Sequence, residues 1–289
     1  LMWWMGDHGA SAVAYREVLD ARRAQGDDAA IAAALYDYGF PRGFADPDEA
    51  MAAFEEARDR YARLGNADGE ARAWWGSANA AWLRGELERS REATRRAAAH
   101  FRSARLPFDL AWALFTLGTV AISLREFDEA HASLVDALSL FAEVDDLSGA
   151  ALTLDNLSLA AWLQGDRTRA ARLAGAVARL ERSTGFGLNP ANRAVHGFDP
   201  ATLRDDAGTE SAWGEGDAMD LPRVIELARD SLHPDLDWLG VVLNIADLRL
   251  VHAREAQAQL KERFGEKVFD TVIRRSVRYA ESAERGVSI

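Results

Sequence analysis

The stretch DEAMAAFEEARDRYARLGNADG, residues 48–69, decides the fold because DEAHASLVDALSLFAEVDDLSG repeats its pattern at residues 128–149. A third stretch, residues 88–104, aligns midway between them, so the period is 40 residues. A constant period of this length is the sequence signature of stacked structural repeats. Three sets of residues fall on equivalent positions: Phe54, Thr94 and Leu134; Ala57, Ala97 and Ala137; Tyr61, Phe101 and Phe141.

Partner stretches of similar length lie at residues 70–84, 110–125 and 150–164, and none of them contains proline. Their apolar residues recur at helical spacing, as at Leu110 and Leu114, and no alternation of period two indicates a strand. One helix pair cannot cover its own apolar side, so each pair must pack against the next. We therefore predict a mostly α fold, an α-solenoid of antiparallel helix pairs.

The solenoid is expected to cover residues 1–184. Residues 6–24 read as the second helix of a truncated repeat, and residues 28–38 as the first helix of the next one. Helical spacing continues over residues 170–184. Residues 185–221 contain GFGLNPANR and SAWGEGDAMDL and are predicted to form an irregular capping or linker segment.

The order of large and small residues in the second full repeat resembles the tetratricopeptide signature. The matching residues are Leu114, Leu117, Gly118, Ala130, Leu134 and Ala137. Repeats of about 40 residues are similar to those in the sensor regions of large bacterial regulators of the maltose-activator and actinobacterial antibiotic-regulatory types. The resemblance implies a non-catalytic scaffold for protein–protein interaction or ligand sensing in a bacterial signalling or transcriptional regulator.

In tetratricopeptide-like stacks the first helix of each pair lines a concave groove, which here would be rich in aromatic side chains. Such a groove suits a protein or peptide partner. Packing between repeats is the alternative explanation for the same side chains. The candidate groove residues are Trp74, Trp82, Trp112, Phe115, Asp155 and Trp162.

Composition excludes several classes of protein and site. The chain has no cysteine, and its six histidines show no metal-ligand spacing, so we expect neither a metal site nor a cofactor. A net charge of −12 argues against nucleic acid as a partner of the chain alone. No signal peptide or long apolar run is evident, so we expect a cytoplasmic protein without membrane spans.

The charge pattern changes near residue 222. Residues 222–289 hold 11 basic and 11 acidic residues, so the net charge of −12 belongs to residues 1–221. A strand at residues 238–246, a helix at 250–264 and a second strand at 267–273 predict a small β-α-β domain over residues 222–289.

This domain resembles the C-terminal end of ParA-type partitioning ATPases through LHPDL (232–236), GVVLN (240–244), FGEKVF (264–269) and TVIRRSVR (271–278). The resemblance implies that Asn244, Arg274 and Arg275 are vestiges of a nucleotide-proximal site. Arg274 and Ser276 stand where that family has proline and asparagine, which weakens nucleobase contact.

The phosphate loop of that family has no counterpart here, because no glycine in the chain is followed by lysine. Without that loop the β- and γ-phosphates of ATP have no cradle, so we expect no enzyme activity. The alternative to the regulator hypothesis is a fragment or fusion of a ParA-type chromosome- or plasmid-partitioning ATPase. A chimera without one coherent function is a third possibility.

Overall fold

A computed structural model describes residues 8–184, 193, 196–229, 241–244 and 268–273. The chain divides into two compact units, Leu1–Leu232 and His233–Ile289. The described helices lie in the first unit and the described strands in the second.

Nine helices of 16 to 18 residues fill positions 8–184, and each packs against the next. The even-numbered helices also contact one another, α2 with α4, α4 with α6 and α6 with α8. No strand interrupts residues 8–184, so the prediction of a mostly helical array is confirmed. The helices are α1 (His8–Gln25), α2 (Asp28–Gly43), α3 (Pro47–Arg63), α4 (Ala67–Leu83), α5 (Leu87–Ala104), α6 (Pro107–Leu124), α7 (Phe127–Glu143), α8 (Leu147–Leu163) and α9 (Arg167–Thr184).

The turns explain the period. Six residues with positive φ, between 55° and 84°, close six successive helices at intervals of 20 residues. Two such helix–turn units make one repeat of 40. Glycine fits the left-handed conformation best, yet three of the six positions hold other residues. The six are Gly65, Gly85, Arg105, Arg125, Asp145 and Gly165.

Equivalent positions of the repeat occupy equivalent environments in the core. Phe54, Thr94 and Leu134 are all buried, as are the alanines at 57, 97 and 137. Phe101 and Phe141 are fully buried, and Tyr61 at the same register is partly exposed. The repeated pattern therefore marks the side of each odd-numbered helix that faces the core.

Two short helices follow α9 where the sequence led us to expect an irregular segment, α10 (Ala201–Arg204) and α11 (Glu210–Ala218). The next helix, α12 (Leu221–Arg229), lies where the sequence predicts a helix over residues 223–232. Helix α11 packs on α9 at backbone distance, because Gly216 meets the carbonyl of Arg172 and Gly175 meets that of Trp213. Helix α12 packs on α7 and α9 through Val224 and Ala228. The first unit thus continues about ten residues past the predicted boundary at 222.

The second unit contains two parallel strands, β1 (Val241–Asn244) and β2 (Val268–Ile273). Val241 pairs with Val268 and Asn244 with Ile273, with an irregularity between them. The predicted helix at 250–264 lies outside the described residues, so the complete β-α-β crossover stays a prediction.

Helix α6 is, within the described chain, the one helix long and apolar enough to cross a membrane. More than half of it, 56%, is buried inside the array. This is how the core helix of a soluble protein looks, so its composition is weak evidence for a membrane span.

Candidate functional site

The least buried side of helices α2, α4 and α6 forms one surface, which we call the even-helix face. Its residues follow one another at spacings of three and four, which places them on one side of each helix. The face comprises Tyr36 and Phe40 of α2, Arg72, Trp75, Asn79 and Trp82 of α4, and Phe108, Trp112, Phe115 and Ser123 of α6.

An aromatic row crosses the three helices of this face. The ring centroid of Phe40 is 5.2 Å from that of Trp75, which is 6.3 Å from that of Trp112. Phe115 meets Trp112 edge to face at 5.7 Å. All four side chains are partly exposed, and Phe108 next to them is 52% exposed. The row combines stable ring packing with apolar area that a partner could cover.

Hydrogen bonds hold the even-numbered helices side by side. The Nε1 of Trp75 donates to Oγ1 of Thr116 at 2.9 Å, and Nε1 of Trp82 donates to Oγ of Ser123 at 3.3 Å. Farther along, Nδ2 of Asn156 donates to Oγ1 of Thr119 at 2.8 Å. The two indoles therefore join α4 to α6, so the aromatic row has a structural role as well as an exposed edge.

Three of the six predicted groove residues, Trp82, Trp112 and Phe115, lie on the even-helix face. Trp74 lies elsewhere, between the guanidinium groups of Arg58 on α3 and Arg96 on α5, which are 4.7 and 4.4 Å from its ring centroid. Its neighbour Trp75 occupies the face instead.

The 40-residue period contained the signal for this difference. It aligns Trp75 with Phe115 and Asp155, two of the predicted groove residues, whereas it aligns Trp74 with Leu114 and Leu154, which are buried.

The last two predicted residues, Asp155 and Trp162 of α8, are covered by the chain itself. Arg193 donates from Nε to both carboxylate oxygens of Asp155, at 2.8 and 2.9 Å. The ring of Phe198 packs on Trp162 with centroids 5.4 Å apart. Burial raises the pKa of Asp155, and the guanidinium of Arg193 counteracts that shift. An arginine and an aromatic ring thus occupy the α8 continuation of the even-helix face.

A polar group borders the other end of the face. The guanidinium of Arg72 is held by both oxygens of Asp109 at 2.7 and 3.0 Å, and this hydrogen bonding raises the pKa of Arg72. Desolvation raises the pKa of the Tyr36 and Tyr61 phenols, which lie close by. Asp37 is exposed, yet desolvation by the surrounding protein raises its pKa as well.

Of the three residues that the ParA resemblance predicts to be nucleotide-proximal, the structure describes one. Asn244 ends β1 and pairs with Ile273, the residue before Arg274. Arg274 and Arg275 lie outside the described residues, so their role stays a prediction. Among the described residues, no three histidine, aspartate or glutamate side chains come together as a metal site would require.

Comparisons with known proteins support one of the two resemblances. No family model matches the chain. A chromosome-partitioning ATPase Soj of Thermus thermophilus is 45% identical over 65 residues, 22% of this chain and 26% of the relative. The chromosome partitioning protein ParA of Caulobacter vibrioides is 41% identical over 66 residues, 23% of this chain and 25% of the relative. An uncharacterized protein of Mycobacterium tuberculosis is 44% identical over 69 residues, 24% of this chain and 22% of the relative.

The likeness is partial. The chain spans about a quarter of the length of the curated relatives it matches. The matched lengths are close to that of residues 222–289, which carry the ParA resemblance.

A solved structure matches most of the chain in shape. The crystal structure of BtubC (BKLC) from P. vanneervenii superposes with a TM-score of 0.53 at 19% identity. The superposition covers 82% of this chain and 97% of that one. At this identity the likeness concerns the fold alone.

Proposed function

We propose that this chain is a ParA-related partitioning protein in which a tetratricopeptide-like helical array, acting as a binding scaffold, accompanies the ParA-like C-terminal segment. The observation that carries the proposal is the 41–45% identity to Soj and ParA over 65 and 66 residues. The relatives named above have no regulator description, so the regulator hypothesis has only the sequence patterns in its favour.

The scaffold is proposed to work without ATP chemistry. The chain has no Gly-Lys pair, which the phosphate loop requires for its contacts with the β- and γ-phosphates. Equilibrium titration of the whole chain with fluorescent ATP and Mg²⁺ tests this part. We expect no saturable binding. Magnesium-dependent binding together with phosphate release would assign an ATPase activity and overturn the non-catalytic proposal.

The even-helix face is the proposed binding surface of the array. Four aromatic side chains lie partly exposed in one row across three helices, and rigid aromatic side chains contribute much of the energy in protein interfaces. A protein or peptide partner that covers the row would bury this apolar area.

A double substitution tests the surface. Trp112→Ala with Phe115→Ala shortens the row, whereas Tyr15→Ala with Val18→Ala on α1 removes exposed apolar side chains outside the face. Affinity purification from the host with quantitative mass spectrometry should recover the same specific partners with the wild type and the α1 variant. The Trp112/Phe115 variant should lose them while circular dichroism shows an intact helical array. Recovery of every partner by both variants would contradict the assignment.

A further inference from the structure

At α8, the continuation of the even-helix face is already covered by side chains from elsewhere in the chain, and these show which groups can bind there. Arg193 forms an ion pair with Asp155 in which the two side chains are 17% and 7% exposed. Five residues later, Phe198 is buried against Trp162. A carboxylate receives a guanidinium, and an indole next to it receives an aromatic ring. Both contacts are made by a stretch of chain that is not part of the nine-helix array.

The α2 end offers a carboxylate that no arginine of the described chain engages, next to the partly exposed edge of the aromatic row. Asp37 presents an exposed carboxylate beside Tyr36, at the edge of the even-helix face. No hydrogen bond or ion pair links Asp37 to any described residue. The guanidinium on the neighbouring helix, Arg72, is engaged by both oxygens of Asp109. The phenols of Tyr36 and Tyr61 interact electrostatically with the Asp37 carboxylate.

We propose that the even-helix face takes a partner segment that carries an arginine or lysine close to an aromatic side chain. Asp37 receives the cation, and the row formed by Phe40, Trp75, Trp112 and Phe115 receives the ring. The inference rests on the proposed function, because it names the class of partner for that same surface.

Electrostatic interactions favour such a partner both during its approach and in the bound complex. Residues 1–221 carry the whole net charge of −12, so a basic segment is attracted during approach and an acidic one is repelled. In the complex, the Asp37 carboxylate is partly shielded from water, and an ion pair with a cation replaces part of the hydration that it has lost.

Three matched peptides test the proposal. The first is a fluorescein-labelled decapeptide with Arg at position 3 and Phe at position 8, the spacing of Arg193 and Phe198. The second replaces the Arg with Glu, and the third replaces the Phe with Ser. Fluorescence anisotropy is measured against the whole chain, against Asp37→Asn, and against the control Asp136→Asn on α7, whose carboxylate is also exposed.

We expect the Arg/Phe peptide to bind most tightly and its affinity to fall as salt rises. Asp37→Asn should weaken it about 5- to 10-fold, as loss of a partly desolvated ion pair does, and Asp136→Asn should leave it unchanged. The Glu/Phe peptide should bind no more tightly to the wild type than to Asp37→Asn.

Two outcomes would overturn the inference. The first is that the Glu/Phe peptide binds as tightly as the Arg/Phe peptide. The second is that Asp37→Asn leaves the affinity of the Arg/Phe peptide unchanged. Failure of all three peptides, while Trp112→Ala with Phe115→Ala still removes cellular partners, would reject the partner class and leave the proposed surface standing. Failure of both experiments would reject the proposed function itself.

Discussion

His131 is buried where α7, α9 and α12 meet, and its side chain makes no hydrogen bond to any described residue. Burial and, to a lesser extent, the positive charge of Arg169 lower its pKa to about 4, although the backbone of Ala228 and the carboxylate of Asp128 act in the opposite direction. The folded protein therefore holds this imidazole neutral, although an unfolded chain would protonate it near pH 6.5.

The stability of the array should consequently fall as pH drops from about 6.5 to about 4. In this pH range His131 is protonated in the unfolded state but not in the folded state. This difference lowers the free energy of unfolding by on the order of 3 kcal/mol. Urea unfolding followed by circular dichroism at several pH values measures the effect. His131→Leu should flatten this part of the pH dependence, whereas Ser139→Ala on the same helix should not. An unchanged slope in His131→Leu would show that other groups cause the acid sensitivity.

Single residues also show what the sequence could and could not reveal about the site. Trp82, Trp112 and Phe115 are predicted from the aromatic residues on the first helix of each repeat, and the structure places them on the even-helix face. Trp75 was predictable from the period, as its alignment with Phe115 shows. The ion pair between Arg193 and Asp155 was not predictable from the sequence. The two residues are 38 positions apart, and no periodic pattern relates them.

Helices approach one another closely where glycine faces an aromatic side chain. A Cβ at Gly76 of α4 would overlap the ring of Phe54 of α3, and one at Gly149 of α8 would overlap the ring of Phe141 of α7. The ring fills the space that the absent side chain leaves, so the two helices pack at short distance.

Gly76→Ala should therefore destabilise the array by about 1–3 kcal/mol, the usual cost of overpacking a core. Gly214→Ala in α11 is the matched control, because it also lies in a helix but its Cβ would meet no atom within 4 Å. Alanine has the higher helix propensity, so that variant should be neutral or slightly stabilising. Adding Phe54→Leu to Gly76→Ala should recover part of the loss. Equal unfolding free energies for the two alanine variants would refute the close-approach explanation.

The helix boundaries were largely predictable because local chemistry sets them. Asp46, Asn66 and Asp146 accept hydrogen bonds from the first turns of α3, α4 and α8, and such capping residues are visible in sequence. Helix α11 was missed because its sequence, ESAWGEGDA, is rich in glycine and favours a loop. The same glycines let α11 lie against the backbone of α9, so tertiary contact outweighs local propensity there.

At the scale of the whole array, the odd-numbered helices alternate in charge. Helix α5 has five arginines and two glutamates, α7 has four acidic residues and no arginine, and α9 has five arginines and one glutamate. Ion pairs join α5 to α3 and to the start of α7, and α9 to α11, and each exposed pair contributes little by itself. If the odd-numbered helices were stacked one repeat out of order, helices of like charge would become neighbours and repel each other. The alternation therefore favours the observed order of stacking. The bridging pairs include Arg89 with Glu55, Arg91 with Glu126, Arg95 with Glu129 and Arg172 with Glu215.

The alternation continues into α11, whose three acidic residues follow the basic α9, so α11 belongs to the array. Ala212 of α11 and Val224 and Ala228 of α12 join the same core cluster as α6 to α9. A chain that ends after Leu232 should therefore keep the helical circular dichroism and unfold within about 2 °C of the whole protein. A chain that ends after Arg204 lacks α11 and α12, so α9 becomes exposed and several buried side chains are lost. Burial of one valine and two alanines contributes about 3 kcal/mol, so the melting midpoint of the shorter chain should fall by roughly 5–10 °C. A comparable fall in the longer chain would mean that residues 233–289 stabilise the array, and its division into two units would then not hold thermodynamically.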